Sequence, residues 1–571
     1  MRTDMTRTLA AAAVAVLLVS LYAAGAEFPE RWVYISTNLA TDAAVSDTIS
    51  IMRQAKAAGC THVLLSDYKF GILSEMQPSY FKNVGRVRDA AAEMDLAIVP
   101  EIFSIGYSSA ILHLDPNLAA GIPVRDAPFM VKGKKAVPDP ASVPSIANAG
   151  FDDAKGDKLA GWEQDFAGEE TFVDREVKHS GAASLKMTNL ARIPKMFAGH
   201  CRVMQTLKTQ PFQYYRLSVW TKTRGLKSDQ TQVLLLSDGG KRQHCYMSLG
   251  VKETEDWTKH EIVFNSLEAS SVLMYVGLWG AKEGTIWWDD VRIEPAGLLN
   301  VIRGDYTPVK VASSDGGTIY SEGKDFERAV DPQLGKNDYS IRHDAPTMAL
   351  TGNSRIKDGE RLLVSFYHPA VIKDDQVTCS LVDPKVFTLM EDQMKRIVEL
   401  LGAPGYFMSY DEIRVGGWEE QPGGAHLTPG QLLAKHVSRA VEIAHKYAPK
   451  ATLYTWSDMF DPYHNARPFS KGGYYYLVNG TWEGSWEVLP KDVVVCTWIP
   501  QAESLKWFAD RGHRQILGGY YDSAPGENVA TWMKASRGVP GIVGMVYTTW
   551  EHQYKDLPEF FRALKEYKAD R

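Results

Sequence analysis

The sequence predicts an α/β protein: a (β/α)₈ barrel interrupted by an inserted jelly-roll β-sandwich. Three observations carry that prediction. From Arg31 short apolar runs alternate with amphipathic segments, the pattern of a parallel sheet with crossover helices. From Asn148 short strands follow one another between Gly, Asp and Ser turns, with no helical period. From Asp383 the strand–helix rhythm resumes.

In chain order, Trp32–Ile35 is the first strand. Thr41 or Asp42 caps a helix with Val45, Ile49, Met52 and Ala55 on one face, and Gly59 stops it. His62–Leu65 is a second strand and Ala97–Phe103 a third, separated by a helix whose apolar face is Phe81, Val84, Val87, Ala91 and Met94. Residues 123–144, rich in Pro, Lys and Asp, read as a loop. Sandwich strands are expected at 215–220, 232–236, 272–276 and 285–293. Residues 298–358 read as a β-rich return, and Leu362–Tyr367 fits either the barrel or the inserted sheet. Asp383 as N-cap and Pro384 at the first helical position open a helix stopped at Gly402. A strand at Tyr406–Ser409 follows, then a helix from Thr428-Pro429 and strands at 452–457, 493–498, 515–520 and 541–550. The expected division is therefore 27–122 and 359–571 for the barrel, 145–297 for the sandwich and 298–358 for the return.

A parallel barrel gathers whatever stands at its strand ends onto one rim. Those ends carry Asp67, Glu101, Asp411, Glu412, Trp456, Asp458, Trp498, Tyr520, Asp522, Trp550 and Glu551. Carboxylates move protons and aromatic faces hold pyranose rings, which is the equipment of glycosidic cleavage. The adjacent pair Asp411-Glu412 is the strongest candidate, because neighbouring carboxylates repel and one is driven to keep its proton. Trp507 and Trp532 lie on helices and read as core, and Tyr474–Tyr476 reads as a subsite or a core strip.

Composition narrows the function class. A net charge of -6 supplies no basic field for nucleic acid or an anionic membrane. The 15 Trp and 26 Tyr suit a carbohydrate partner. Residues 1–26 have a basic start, an apolar run from Leu9 to Leu21 and an Ala24-Gly25-Ala26 end, so a secretory signal and a secreted or periplasmic protein are expected. The five cysteines lack zinc-site spacing, although Cys201 and Cys245 are candidates for a bridge. No metal at the rim and no cofactor is expected, and Asp289-Asp290 in the sandwich reads as a turn or a calcium ligand.

Two resemblances add to this reading. Asn148-Ala-Gly-Phe151, Gly161-Trp162, His179-Ser-Gly-Ala-Ala-Ser-Leu185 and Trp287-Trp-Asp-Asp-Val-Arg292 resemble, in order and spacing, a carbohydrate-binding jelly roll over about residues 145–297. Leu65-Ser-Asp67, Val99-Pro-Glu-Ile102 with Gly106, Asp411-Glu412, Trp456, Tyr520-Tyr-Asp522 and Trp550-Glu551 resemble the family 20 glycoside hydrolases, the β-N-acetylhexosaminidases. That likeness implies Glu412 as general acid/base and Asp411 orienting a 2-acetamido group whose oxygen attacks the anomeric carbon. It further implies Tyr520 and Asp522 as substrate contacts and Trp456, Trp498 and Trp550 as pocket walls. The chain departs from the pattern at Ser409-Tyr410, where two glycines are expected, and at Tyr107, where a histidine is. A distant relative is implied. The alternatives are a two-carboxylate retaining glycosidase, with Glu101 or Glu551 as nucleophile, and a non-catalytic glycan-binding protein.

Overall fold

In a computed structural model, residues 28–372, 376–471 and 477–567 are described. The expected export signal and the Tyr474–Tyr476 run lie outside them. Eight parallel strands close a barrel in sequential order: β1 (Glu30–Ser36), β2 (His62–Ser66), β3 (Ala97–Ile102), β4 (Gly405–Met408), β5 (Thr452–Trp456), β6 (Val494–Thr497), β7 (Gln515–Tyr520) and β8 (Ile542–Thr548). β8 pairs back onto β1, Gly544 beside Glu30, so no strand edge is left open.

Alternation along each strand sorts side chains into two layers. Trp32, Tyr34, Leu64, Val99, Phe407 and Trp456 fill the barrel interior. The odd partners, among them Val33, Ile35, Val63 and Leu65, pack outward against the helices. The helices begin and end where local chemistry dictates. α1 (Asp42–Ala57) is capped by Thr41, whose hydroxyl accepts the Ala44 N–H. α2 (Pro78–Glu93) follows β2. α3 (Pro384–Leu401) has Asp383 accepting the Lys385 N–H, Pro384 at its first position, and a stop at Gly402 with φ 51°. α4 (Pro429–Tyr447) opens with a reciprocal capping box between Thr428 and Gln431.

Two five-stranded antiparallel sheets, built from segments between Glu163 and Pro295, face each other across a core that includes Phe151, Leu217, Ile262, Met274 and Trp288. The expected strands at 215–220, 232–236, 272–276 and 285–293 all lie within strands of this sandwich.

One expectation is corrected and two open readings are decided. Residues 123–144 are largely strand: Ile122–Lys132 and Lys135–Pro138 form an antiparallel hairpin. Its prolines and charges hid an inward set of Val124, Phe129 and Val131. Asp126, at φ 49°, adds an irregularity that breaks the alternation. Leu362–Tyr367 lies in Arg361–His368, which pairs antiparallel with Ile122–Lys132 in a separate six-stranded sheet, so it is not a barrel strand. Cys201 and Cys245 do not bridge; all five cysteines are free and buried as small apolar fillers.

The insertion leaves and re-enters the barrel at one place. Ile122 pairs with His368, the Ala120 N–H donates to Thr378 O (2.8 Å), and the Ser380 N–H donates to Leu118 O (2.7 Å).

Candidate active site

The C-terminal ends of the barrel strands surround a cavity of about 570 Å³. A closed barrel normally fills this level with branched apolar side chains. Here the interior-facing positions next after Tyr34, Leu64, Val99 and Phe407 are Ser36, Ser66, Glu101 and Ser409, all facing the cavity. Small hydroxyls leave room, and one carboxyl group is set among them. The walls are Tyr34, Tyr107, Trp456, Trp498, Tyr521 and Trp550.

Four carboxyl residues line this space, Asp67, Glu101, Asp411 and Glu412, and the last three are free of the local hydrogen bonds that hold Asp67. Burial pushes the Glu101 carboxyl above its usual range, opposed by hydrogen bonds from Ser66, Ser409 and Trp456. Asp411 is pushed up to about 7, first by burial and then by the Glu101 charge, against a hydrogen bond from Ser409. The Ser409 hydroxyl donates to Asp411 Oδ1 at 2.6 Å and also touches Glu101. A hydroxyl has one proton, so Ser409 cannot fully satisfy both carboxyl groups as ions, and their closeness favours a proton on one of them.

Glu412 is held differently. Its Oε2 accepts from the Tyr107 hydroxyl (2.5 Å) and from the Arg414 guanidinium (2.5 Å). Its backbone lies in the left-handed region, φ 45°. Gly106 lies against it: a Cβ there would come within 2.0 Å of Asp411 O, so only glycine lets the loop after β3 reach the loop after β4.

The structure brings together Glu101, Asp411, Glu412, Trp456, Trp498 and Trp550 from the residues singled out in the sequence, and Asp67 reaches the cavity edge. Asp67 offers little to a ligand, because its carboxylate already accepts from Leu39 N (2.8 Å), Lys69 N (3.0 Å) and Tyr80 Oη (2.9 Å). Asp458 is fully buried, does not line the cavity, and accepts the Glu412 N–H at 2.9 Å. Asp522 is likewise spent internally, accepting from Thr549 Oγ1 (2.5 Å) and the Trp550 N–H (2.7 Å). Glu551 is exposed and accepts from Gln553 Nε2, away from the cavity.

Tyr520 is replaced in the cavity by its neighbour. Strict alternation would aim it inward with Ile516, but its φ is 70° and those of Tyr521 and Asp522 are both 52°. The turn sends the Tyr520 ring into the outer layer, stacked on Tyr547 with its hydroxyl donating to Asp556 (2.7 Å), while Tyr521 faces the cavity.

Tyr107, Arg414 and the serines were not singled out as site residues. The serines are legible as small polar residues continuing the inward alternation; Arg414 has only its position two residues after Glu412. Trp498 is oriented by its indole N–H donating to His464 Nδ1 (2.9 Å). Among the described residues no group of three or more His, Cys, Asp or Glu side chains is placed to hold a metal ion.

No family model matches the chain. No curated protein matches it either. Among solved structures it is similar to a chitobiase from Flavobacterium johnsoniae, at 9% identity and TM-score 0.38, over 95% of this chain and 48% of that one. It is similar to a rhamnosidase from Novosphingobium sp. PP1Y, at 10% identity and TM-score 0.36, over 94% of this chain and 58% of that one. A xylan-binding domain from Paenibacillus barcinonensis aligns with 26% of this chain and 90% of its own length, at 16% identity and TM-score 0.19. The chain thus spans about half the length of the two enzymes it resembles.

Proposed function

We propose that this chain is an exported glycoside hydrolase acting on a terminal N-acetylhexosamine-type sugar in β-linkage. The observation that carries the reading is the convergence of Glu101, Asp411 and Glu412 in one cavity walled by tyrosines and tryptophans at the C-terminal rim of the barrel. Glu412 is the general acid/base, held at the mouth by Tyr107 and Arg414. Asp411 orients the 2-acetamido group, whose oxygen closes on the anomeric carbon as the glycosidic bond breaks and Glu412 gives its proton to the leaving oxygen. Water then opens that intermediate with Glu412 as base, and configuration is retained. Trp498, Tyr521 and Trp550 present flat faces to the ring, and the buried Trp456 packs against Trp498. The inserted sandwich is a carbohydrate-binding module in this reading.

The test is a panel of nitrophenyl glycosides with and without the 2-acetamido group. Turnover confined to the acetamido sugars is expected, with Glu412→Gln lowering kcat by about a hundredfold or more while binding is kept. Equal inertness of wild type and variant across the panel would leave a glycan-binding protein as the better reading.

One observation favours a second enzymatic reading. Glu101 faces the same cavity as Glu412, which also suits a two-carboxylate retaining mechanism with Glu101 as nucleophile. Azide separates the two: rescue of Glu101→Ala with formation of the inverted glycosyl azide would establish the nucleophile.

A further inference from the structure

Glu412 combines two features that do not ordinarily go together: a side chain that must be aimed within tenths of an ångström and a backbone in a region costly for any residue with a Cβ. Its φ is 45°. Such a conformation is strained for a residue with a Cβ and persists only where the surroundings impose it.

The surroundings here are two side chains that hold the two polar groups of the Glu412 backbone, one its N–H and the other its carbonyl. On one side, Asp458 Oδ2 accepts the Glu412 N–H at 2.9 Å. Asp458 stands two residues beyond Trp456 at the end of β5 and is fully buried. It is locked in turn by Asn465, whose Nδ2 donates to the same Oδ2 (2.9 Å) and whose backbone N–H donates to Asp458 O (3.1 Å). On the other side, Gln376 Nε2 donates to the Glu412 carbonyl at 2.8 Å and to Gly106 O at 3.0 Å. Gln376 is buried and belongs to the segment returning from the insertion. It therefore ties Glu412 to the loop after β3, where Tyr107 reaches the Glu412 carboxylate. Neither Asp458 nor Gln376 faces the cavity.

We infer that Asp458 and Gln376 are positioning residues for Glu412, a clamp that holds its backbone left-handed so that its carboxylate stays at the cavity mouth. The inference rests on the proposed role of Glu412. Without the clamp the backbone relaxes to negative φ, and the side chain swings away from Tyr107 and Arg414. Burial, and then the Asp411 charge, push the Asp458 carboxyl well above its usual range, and its contact with Glu412 needs only an oxygen that accepts. An asparagine reproduces that acceptor. A leucine does not.

The test compares Asp458→Leu, Asp458→Asn and Gln376→Leu in the full chain on the best nitrophenyl glycoside. The two leucine variants should lose about ten- to a hundredfold in kcat with KM within about threefold, the scale of misplacing a catalytic group by an ångström. Asp458→Asn should stay within about threefold of wild type. Wild-type kcat in either leucine variant, or an asparagine variant as damaged as the leucine one, overturns the clamp. Gln376→Leu carries the test should Asp458→Leu not fold. If wild type turns over no glycoside, the enzymatic reading fails by itself, and crystal structures of Gln376→Leu and Asp458→Asn then decide. Glu412 relaxed to negative φ in the first and left-handed in the second upholds the clamp, and any other combination refutes it.

Discussion

An aspartate in water ionises near pH 4, yet Asp411 keeps its proton to about 7, because it is buried and faces Glu101. Between those two values the folded chain binds the proton more tightly than the unfolded one. This contribution to stability is therefore intact below about pH 4, erodes as pH rises through 4 to 7, and is lost above, a cost of up to about 4 kcal/mol. Asp411→Asn removes the charge, so its melting temperature should exceed that of wild type at pH 8 and match it at pH 4. Equal melting temperatures at pH 8 would mean the charge is tolerated without cost. The same group sets the direction of the pH–rate profile. In the proposed reaction, orienting an acetamido N–H requires the Asp411 carboxylate, so kcat/KM should rise as pH passes through about 7, whereas a limb falling there would make Asp411 the proton donor instead. At this scale acids at the ends of apolar runs stand out in the sequence, which points to Glu101, Asp411 and Glu412 but equally to Asp458, Asp522 and Glu551, which do not line the cavity. The displacement of Tyr520 was not readable, because three successive left-handed residues at the end of β7 leave no trace in residue type. Those residues are Tyr, Tyr and Asp rather than Gly, and only the tertiary structure enforces their geometry.

At the level of elements, the site depends on two loops approaching closer than side chains allow. Gly106 is where that approach is tightest: a methyl group on its Cα would fall 2.0 Å from Asp411 O, a backbone atom that has no rotamer to yield. Gly106→Ala should therefore push the loop after β3 away from the loop after β4. A loss of about 1–3 kcal/mol is expected from thermal melts, together with at least a tenfold fall in kcat as Tyr107 leaves Glu412. A variant with wild-type melting and turnover would show that the loops do not need this contact. The strands and helices of the barrel were legible because each carries its own signal: apolar runs of the right length, Asp383-Pro384 and Thr428-Pro429 at helix starts, Gly59 and Gly402 at stops. Ile122–Lys132 was hidden for the opposite reason. Pro123 and Pro128 mimic a loop, and the strand is defined by pairing with Arg361–His368, more than two hundred residues away.

Across the whole molecule, the insertion is more than an appendage, because its entry and exit are joined and its sandwich bears on the barrel. Phe212, from a sandwich loop, meets Trp418, which follows β4, with ring centroids 6.0 Å apart. The Arg125 guanidinium lies over the same phenyl ring at 3.7 Å, and the Trp418 indole N–H donates to Leu477 O at 2.9 Å. Val415, Leu477, Ile122 and Leu267 complete this apolar joint. No sequence pattern announces it, because each partner is a lone apolar residue in a loop or at a strand end, and only closure of the barrel assembles them. A joint of this kind couples the unfolding of the two bodies, since neither can open without exposing it. Phe212→Ala should remove about 3 kcal/mol of shared stability. It touches nothing in the cavity, so kcat on a small nitrophenyl glycoside should remain within about twofold. Calorimetry should then resolve two transitions, the sandwich and the barrel melting apart, where wild type gives one. A single transition shifted as a whole would place the coupling elsewhere, in the paired strands at Ile122 and His368 rather than in the aromatic contact.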